Sequence, residues 1–219
     1  MIEYRLIRSD RRTLSIQVDG EGALVVRAPL FTPLWEIEAF LHKKREWIVT
    51  RQAAVKATPA VSIAEGARMP FWGGELRVHV CRVPMGMRYH DCLLLPDQGN
   101  VLAHARLWRK ETAQSLLCPR VEEWAGRTGL HPVRVCFGNA ESRWGSMSSG
   151  GVMRLNTALV HLPPQLCDYV IVHELVHLRY MNHSTAFHGL VRSILPDAEQ
   201  RRRALRQWST VTRLLHEDR

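Results

Sequence analysis

The sequence predicts an α+β protein in two parts: a β-rich N-terminal unit with one long helix over residues 1–95, and a largely helical unit over residues 96–219. Three observations carry this reading. Apolar residues alternate at period two through much of the first part, the pattern of half-buried strands. From Leu102 onward they recur at helical spacing. Near the C-terminus an apolar helix carries His173-Glu174-Leu175-Val176-His177, two histidines four apart with a glutamate between them.

The elements follow in chain order. Tyr4 and Leu6 alternate with Glu3 and Arg5, and Leu14, Ile16 and Val18 alternate with Thr13, Ser15 and Gln17, so both stretches read as strands. Asp19-Gly20 turns the chain into a returning strand, Ala23 to Ala28. Thr32 as N-cap and Pro33 in the first turn start a helix whose inner face is Ile37, Phe40, Leu41 and Ile48. Residues 57–67 read as a linker. Phe71-Trp72-Gly73-Gly74 reads as a turn before the alternating Leu76, Val78 and Val80, and Leu93 to Leu95 as a short strand.

A helix runs from Leu102 through Trp124, with a break expected at Pro119 and an end at Gly129. Val133 to Phe137 is a strand, and Ser148-Ser149-Gly150-Gly151 turns residues 142–148 back onto Val152 to Leu155 as a hairpin. Pro163 and Pro164 introduce the helix of the histidine motif. Beyond it, Phe187, Leu190, Val191, Ile194 and Leu195 form one helical face, closed by Pro196. Asp197 with Gln200 resembles a capping box for a last helix bearing Leu205, Trp208, Val211 and Leu215.

Composition narrows the function classes. At 46% hydrophobic and 23% charged residues the chain has the balance of a soluble globular protein. The five cysteines form no C-x-x-C pair, which argues against a disulfide scaffold or a cysteine zinc site. No stretch approaches the ~18 apolar residues of a membrane span, and the N-terminus carries no apolar signal region, so a cytoplasmic protein with no membrane partner is expected. The formal charge of +9 admits nucleic acid or acidic partners, but the arginines are scattered. Arg201, Arg202, Arg203 and Arg206 cluster, and read as a solvated helix face before they read as an anion-binding patch.

The histidine motif carries the chemistry. On a helix, His173 and His177 sit one turn apart on one face, where two neutral imidazoles can close on one zinc ion (Zn2+). Glu174 can reach a zinc-bound water without ligating the metal, and zinc lowers that water's pKa to roughly 7 so that the carboxylate takes its proton. A buried, metal-free histidine pair is the plainer alternative, but a Glu and two His in so apolar a helix need a partner for their polar atoms. A catalytic zinc usually takes three protein ligands and keeps one position open. His183 is the candidate for the third. On a continuous helix it would lie roughly 9 Å further along and about 240° around from His177, so the helix must stop between them. Asn182, tolerant of the left-handed conformation, is the expected stop, and Ser184 the cap of the next helix.

Ser142-Arg143-Trp144-Gly145-Ser146, Arg154-Leu155-Asn156, the run from Tyr169 through Leu178, Asn182-His183-Ser184 and Phe187 resemble the YgjP-like metallopeptidases, relatives of the SprT-like and WLM zinc proteases. Arg11 to Ile16, Val26-Arg27-Ala28-Pro29 and Lys44 to Ile48 match as well, so the likeness covers nearly the whole chain. It implies a zincin-like metallopeptidase domain over residues 96–219, with an HExxH active helix, zinc on His173, His177 and His183, and Glu174 as general base. The chain departs from the family pattern in two places. Met147 stands where a cysteine is usual, and His188 where a tryptophan is common, the latter as a further ligand or, preferably, a lining residue. Glu199 is a less favoured third ligand.

The expected reaction is hydrolysis of a peptide bond in a peptide or protein substrate, with Arg143 preferred over Arg179 and Tyr180 as the donor to the developing oxyanion. Residues 142–148 could offer a strand edge to an extended substrate. Two other readings compete: a metal-dependent phosphohydrolase acting on nucleotides or phosphate esters, and a non-catalytic nucleic-acid-binding module holding a structural zinc.

Overall fold

Strand β3 (Leu24–Pro29) is the centre of the first sheet in this computed structural model, which describes residues 3–19, 22–56, 63–140 and 142–208. β1 (Arg5–Ser9) lies parallel to it and β2 (Ser15–Val18) antiparallel, giving the order β1-β3-β2. Leu24, Val25 and Val26 are all buried, as expected for a central strand covered on both faces. Two helices follow, α1 (Leu34–Lys43) and α2 (Arg45–Lys56), where the sequence led us to expect one. Lys44, at φ −102°, interrupts them. Ile37, Leu41 and Ile48 still share one core with Val18, Leu24, Val26 and Ala28, because the break preserves the apolar face. Pro33 takes the N-cap place expected of Thr32: the first turn closes on its carbonyl, to which Ile37 N–H donates, and no side chain caps the end.

These elements make up one unit, Met1–Thr58, and the remainder, Pro59–Arg219, forms a second. The expected boundary at 95/96 falls inside the second unit. Its sheet of β4 (Arg68–Phe71), β5 (Gly74–Cys81), β7 (Cys92–Pro96) and β6 (Met87–Tyr89), in that spatial order, contributes Met69, Leu76, Val78, Leu93 and Leu95 to the same core as the C-terminal helices. The β4–β5 hairpin turns at Trp72 and Gly73, at φ 51° and 87°, the pair of left-handed residues that a two-residue hairpin demands. The expected linker is only partly within the described residues; Gly66 N–H already donates to Val78 O.

α3 (Val101–Thr128) is capped by the Asn100 side chain, which accepts from Ala103 N–H, and ends at left-handed Gly129. Pro119 does not break it. Losing one backbone hydrogen bond is offset by a face of Ala113, Leu117, Val121 and Trp124, all buried on either side of the proline. Next comes a third sheet with β8 (Arg134–Gly138) parallel and β9 (Gly145–Met147) antiparallel to the central β10 (Val152–Asn156), so β9 is an edge strand. A 3-10 turn, Thr157–His161, leads into α4 (Pro164–Val176), then α5 (Thr185–Ile194) and α6 (Ala198–Gln207).

α4 is apolar around its circumference and lies at the centre of this core. Ile171, Val172, Leu175 and Val176 are fully buried, each removal from water worth about 1.5–3 kcal/mol. Its polar residue Asp168 is matched: Arg120 Nε and Nη2 donate to its two oxygens at 2.7 and 2.6 Å, and Trp124 Nε1 donates at 2.9 Å. This ties the helix to α3. The capping box expected at the start of α6 is replaced by an ion pair, since the Asp197 carboxylate takes Arg201 Nε at 2.9 Å. Val211 and Leu215 lie outside the described residues. No helix among them is long and apolar enough to cross a membrane.

Candidate metal centre and active site

The end of α4 decides the geometry. The helix stops at Val176, six residues before Asn182, and His177 is its C-cap residue, at φ −63° and ψ −20°. The chain then tightens: Leu178 N–H donates to Leu175 O and Arg179 N–H to Val176 O. The only non-glycine residues with positive φ among those described are Trp72 and His90, so Asn182 is not the left-handed stop that was expected. The physical requirement, a turn between His177 and His183, is met by the early helix end instead. Ser184 caps α5 as expected, its Oγ accepting from Phe187 N–H at 3.3 Å.

This turn brings His183 back to the other two histidines. One nitrogen from each of His173, His177 and His183 lies within 4.8 Å of the others, an arrangement that could hold a metal ion. His183 Nε2 and His173 Nε2 are 3.0 Å apart. His177 Nδ1 lies 3.0 Å from Tyr180 O. A carbonyl only accepts, so Nδ1 carries the proton and Nε2 keeps a free lone pair, the tautomer a metal needs. Burial and the neighbouring imidazoles push the His173 pKa down to about 3, so its ring is neutral across the physiological range. The donor set thus fits a divalent ion of zinc's kind: three imidazoles whose nitrogens converge over an apolar floor. That floor is Phe187, fully buried, with its ring centroid 4.9, 4.7 and 4.8 Å from those of His173, His177 and His183.

Glu174 is buried, at 6% exposure, and burial raises its carboxyl pKa to about 7 against the opposing pull of Arg143. It lies against the backbone of β9. A Cβ on Gly145 would sit 2.8 Å from Glu174 Cγ and Oε1, closer than real contacts allow, so only glycine leaves room for this carboxylate. Asn156 fixes the approach to that strand. Its Nδ2 donates to Ala140 O at 2.6 Å and to Arg143 O at 3.0 Å, and its backbone N–H donates to Trp144 O at 2.8 Å. Arg143 itself is exposed and near enough to Glu174 to act on its charge.

Other candidates fall to the side. His188 stacks on His183 at 6.1 Å between ring centroids and lines a neighbouring groove with it. Glu199 reaches Arg202 and Arg203 at 3.5 and 3.7 Å and is not among the converging ligands. Met147 is buried in β9 opposite Met153. Gly145, Asn156 and Phe187, read from the sequence as motif or helix-face residues, were given no part in the site. The signal available for Gly145 was a glycine inside a strand, a mark of close approach by another group.

A mixed α+β unit whose central helix ends in converging histidines beside a buried glutamate has the makings of a metal-dependent hydrolase. The family comparison is specific: residues 12–208 match the model of the YgjP-like metallopeptidase domain, and the chain belongs to that family. Two solved structures are similar over part of the chain. The metallopeptidase zymogen abylysin of Pyrococcus abyssi is 22% identical, with a TM-score of 0.37, and the match covers 40% of this chain and 89% of that one. The metallopeptidase zymogen jannalysin of Methanocaldococcus jannaschii is 20% identical, with a TM-score of 0.36, covering 40% of this chain and 90% of that one. No curated protein matches.

Proposed function

We propose that this chain is a zinc-dependent peptidase, with the metal held by His173, His177 and His183 in a zincin-like catalytic unit. The observation that carries the reading is the convergence of three imidazole nitrogens within 4.8 Å beside a carboxyl whose pKa is raised to about 7. When bound, zinc supplies a Lewis acid that polarises the scissile carbonyl and acidifies the attacking water.

The chain's own residues do the rest. Glu174 takes the proton of the attacking water and passes it to the leaving amine, a task suited to a group whose pKa lies near the working pH. Gly145 keeps the carboxylate in place by leaving it space. Edge strand β9 offers unpaired backbone groups along which an extended substrate can lie. Arg143, two residues before that strand, donates to the oxygen on which negative charge develops. Phe187 and the buried wall of α4 keep bulk water from the far side of the ligands.

The test separates metal binding from chemistry. Zinc-loaded protein is expected to cleave an unfolded protein substrate, and Glu174→Gln to keep its zinc while losing at least ~100-fold in rate. Turnover of nucleotides with no cleavage of any peptide would instead point to a phosphohydrolase. Salt-dependent DNA binding that survives Glu174→Gln, again with no cleavage, would point to a nucleic-acid module.

A further inference from the structure

The hydrolysis proposed above leaves one charged feature of the cleft unused. α6 packs against α4, and its Arg202 and Arg206 line the same cleft of about 400 Å³ that contains His173 and Glu174. Much of the remaining wall is apolar or aromatic: Trp144, Val170 and Leu205, with Tyr169 from α4. Both arginines act on the Tyr169 hydroxyl, as do Glu199 and Glu174, so these groups lie close together.

Of the two arginines, only Arg202 has a carboxylate within ion-pair distance among the described residues. Glu199, one turn before Arg202, divides its carboxylate between Arg202 at 3.5 Å and Arg203 at 3.7 Å, and it lines the neighbouring groove rather than this cleft. Arg202 Nε, which is buried, faces that Glu199 carboxylate at 3.5 Å and forms no hydrogen bond. No carboxylate among the described residues pairs with Arg206. A guanidinium presents a planar fork of donors matched to a carboxylate, and gains most where the surrounding wall is apolar.

We propose that Arg202 and Arg206 form a carboxylate-binding subsite, so that the chain acts preferentially on peptides bearing a carboxylate within about two residues of the scissile bond. The inference rests on the peptidase reading above. The carboxylate can come from an acidic side chain or from the substrate's own C-terminus.

The test uses fluorescein-labelled decapeptides with Glu, Gln or Lys at one central position, each with a free or an amidated C-terminus. Binding to zinc-loaded Glu174→Gln protein is read by anisotropy, and cleavage is read with zinc-loaded wild type. A preference of about tenfold for Glu over Gln in the amidated peptides assigns the subsite to side chains. The same preference for the free over the amidated Gln peptide assigns it to the terminus. Adding Arg206→Glu, an exposed change, is expected to turn the preference toward the Lys peptide, a gain that only folded protein can display. Binding of all peptides within twofold, or a carboxylate preference undiminished by Arg206→Glu, overturns the proposal. Selective binding with no cleavage by wild type would refute the peptidase reading and leave the subsite standing; cleavage blind to charge would do the reverse.

Discussion

Replacing Gly145 with Ala sets a methyl group into the space that Glu174 occupies. The new carbon would lie 2.8 Å from Glu174 Cγ and Oε1 and 3.1 Å from Cδ, whereas ordinary contacts begin at 3.4 Å. The carboxylate or the strand must therefore retreat by about 0.6 Å (3.4 less 2.8). Glu174 is 6% exposed and lines the cleft, so the carboxylate retreats toward that open side and away from its place against β9. Overpacking of this kind costs about 1–3 kcal/mol, and displacing a reacting group by about 1 Å costs on the order of a hundredfold in rate. The variant is expected to unfold at lower urea concentration, to keep its zinc affinity, because the three imidazoles are not displaced, and to lose peptidase kcat/KM by about two orders of magnitude. Full activity with an unchanged urea midpoint would refute the account of how Glu174 is held.

Three further outcomes are expected. Asp168→Ala leaves Arg120 and the Trp124 indole without their shared acceptor, and should destabilise the protein by about 3 kcal/mol in chemical denaturation; a change within 0.5 kcal/mol would contradict the clamp between α3 and α4. In metal-free protein Glu174 has a folded pKa of about 7 against an ordinary 4.5, so folding favours its protonated form and wild type loses stability as pH rises through that window. The gain from Glu174→Gln should therefore grow by ~3 kcal/mol between pH 4.5 and pH 8, whereas a pH-independent difference would show that the carboxyl is not desolvated. Ser184→Ala removes the cap that sets the start of α5 just after His183, and should cost about 1 kcal/mol in thermal unfolding and weaken zinc binding; unchanged affinity would mean that the cap does not position the ligand.

The three converging histidines were legible because their chemistry is written in residue type and spacing. His173 and His177 follow from helical periodicity, and His183 from the need for a turn, although the stop predicted at Asn182 lies at Val176. The turn depends on how the last carbonyls of α4 are satisfied, which no single residue announces. Ser184 and Gly129 were legible as caps because capping is local. The division of the chain was not. β4 to β7 alternate in the same way as β1 to β3, and only packing reveals that Met69, Leu76 and Leu93 belong to the core around α4. Pro119 looked like a break for a similar reason: the local cost is real, but Leu117 and Val121 on either side of it are anchored by residues distant in sequence. Gly145 and Asn156 act through backbone contacts across the fold, so their roles appear only once β9 lies against α4.

In the proposed enzyme three histidines from two sides of a bend hold one zinc ion. The direct measurement is a zinc titration of the metal-free full-length chain against a chromophoric chelator, for wild type, His177→Ala, His183→Ala and Glu174→Gln. The account predicts one zinc per chain for wild type and Glu174→Gln, with each histidine variant weakened by at least ~100-fold. Wild type that binds no zinc at neutral pH, or a His183→Ala variant with undiminished affinity, would contradict it.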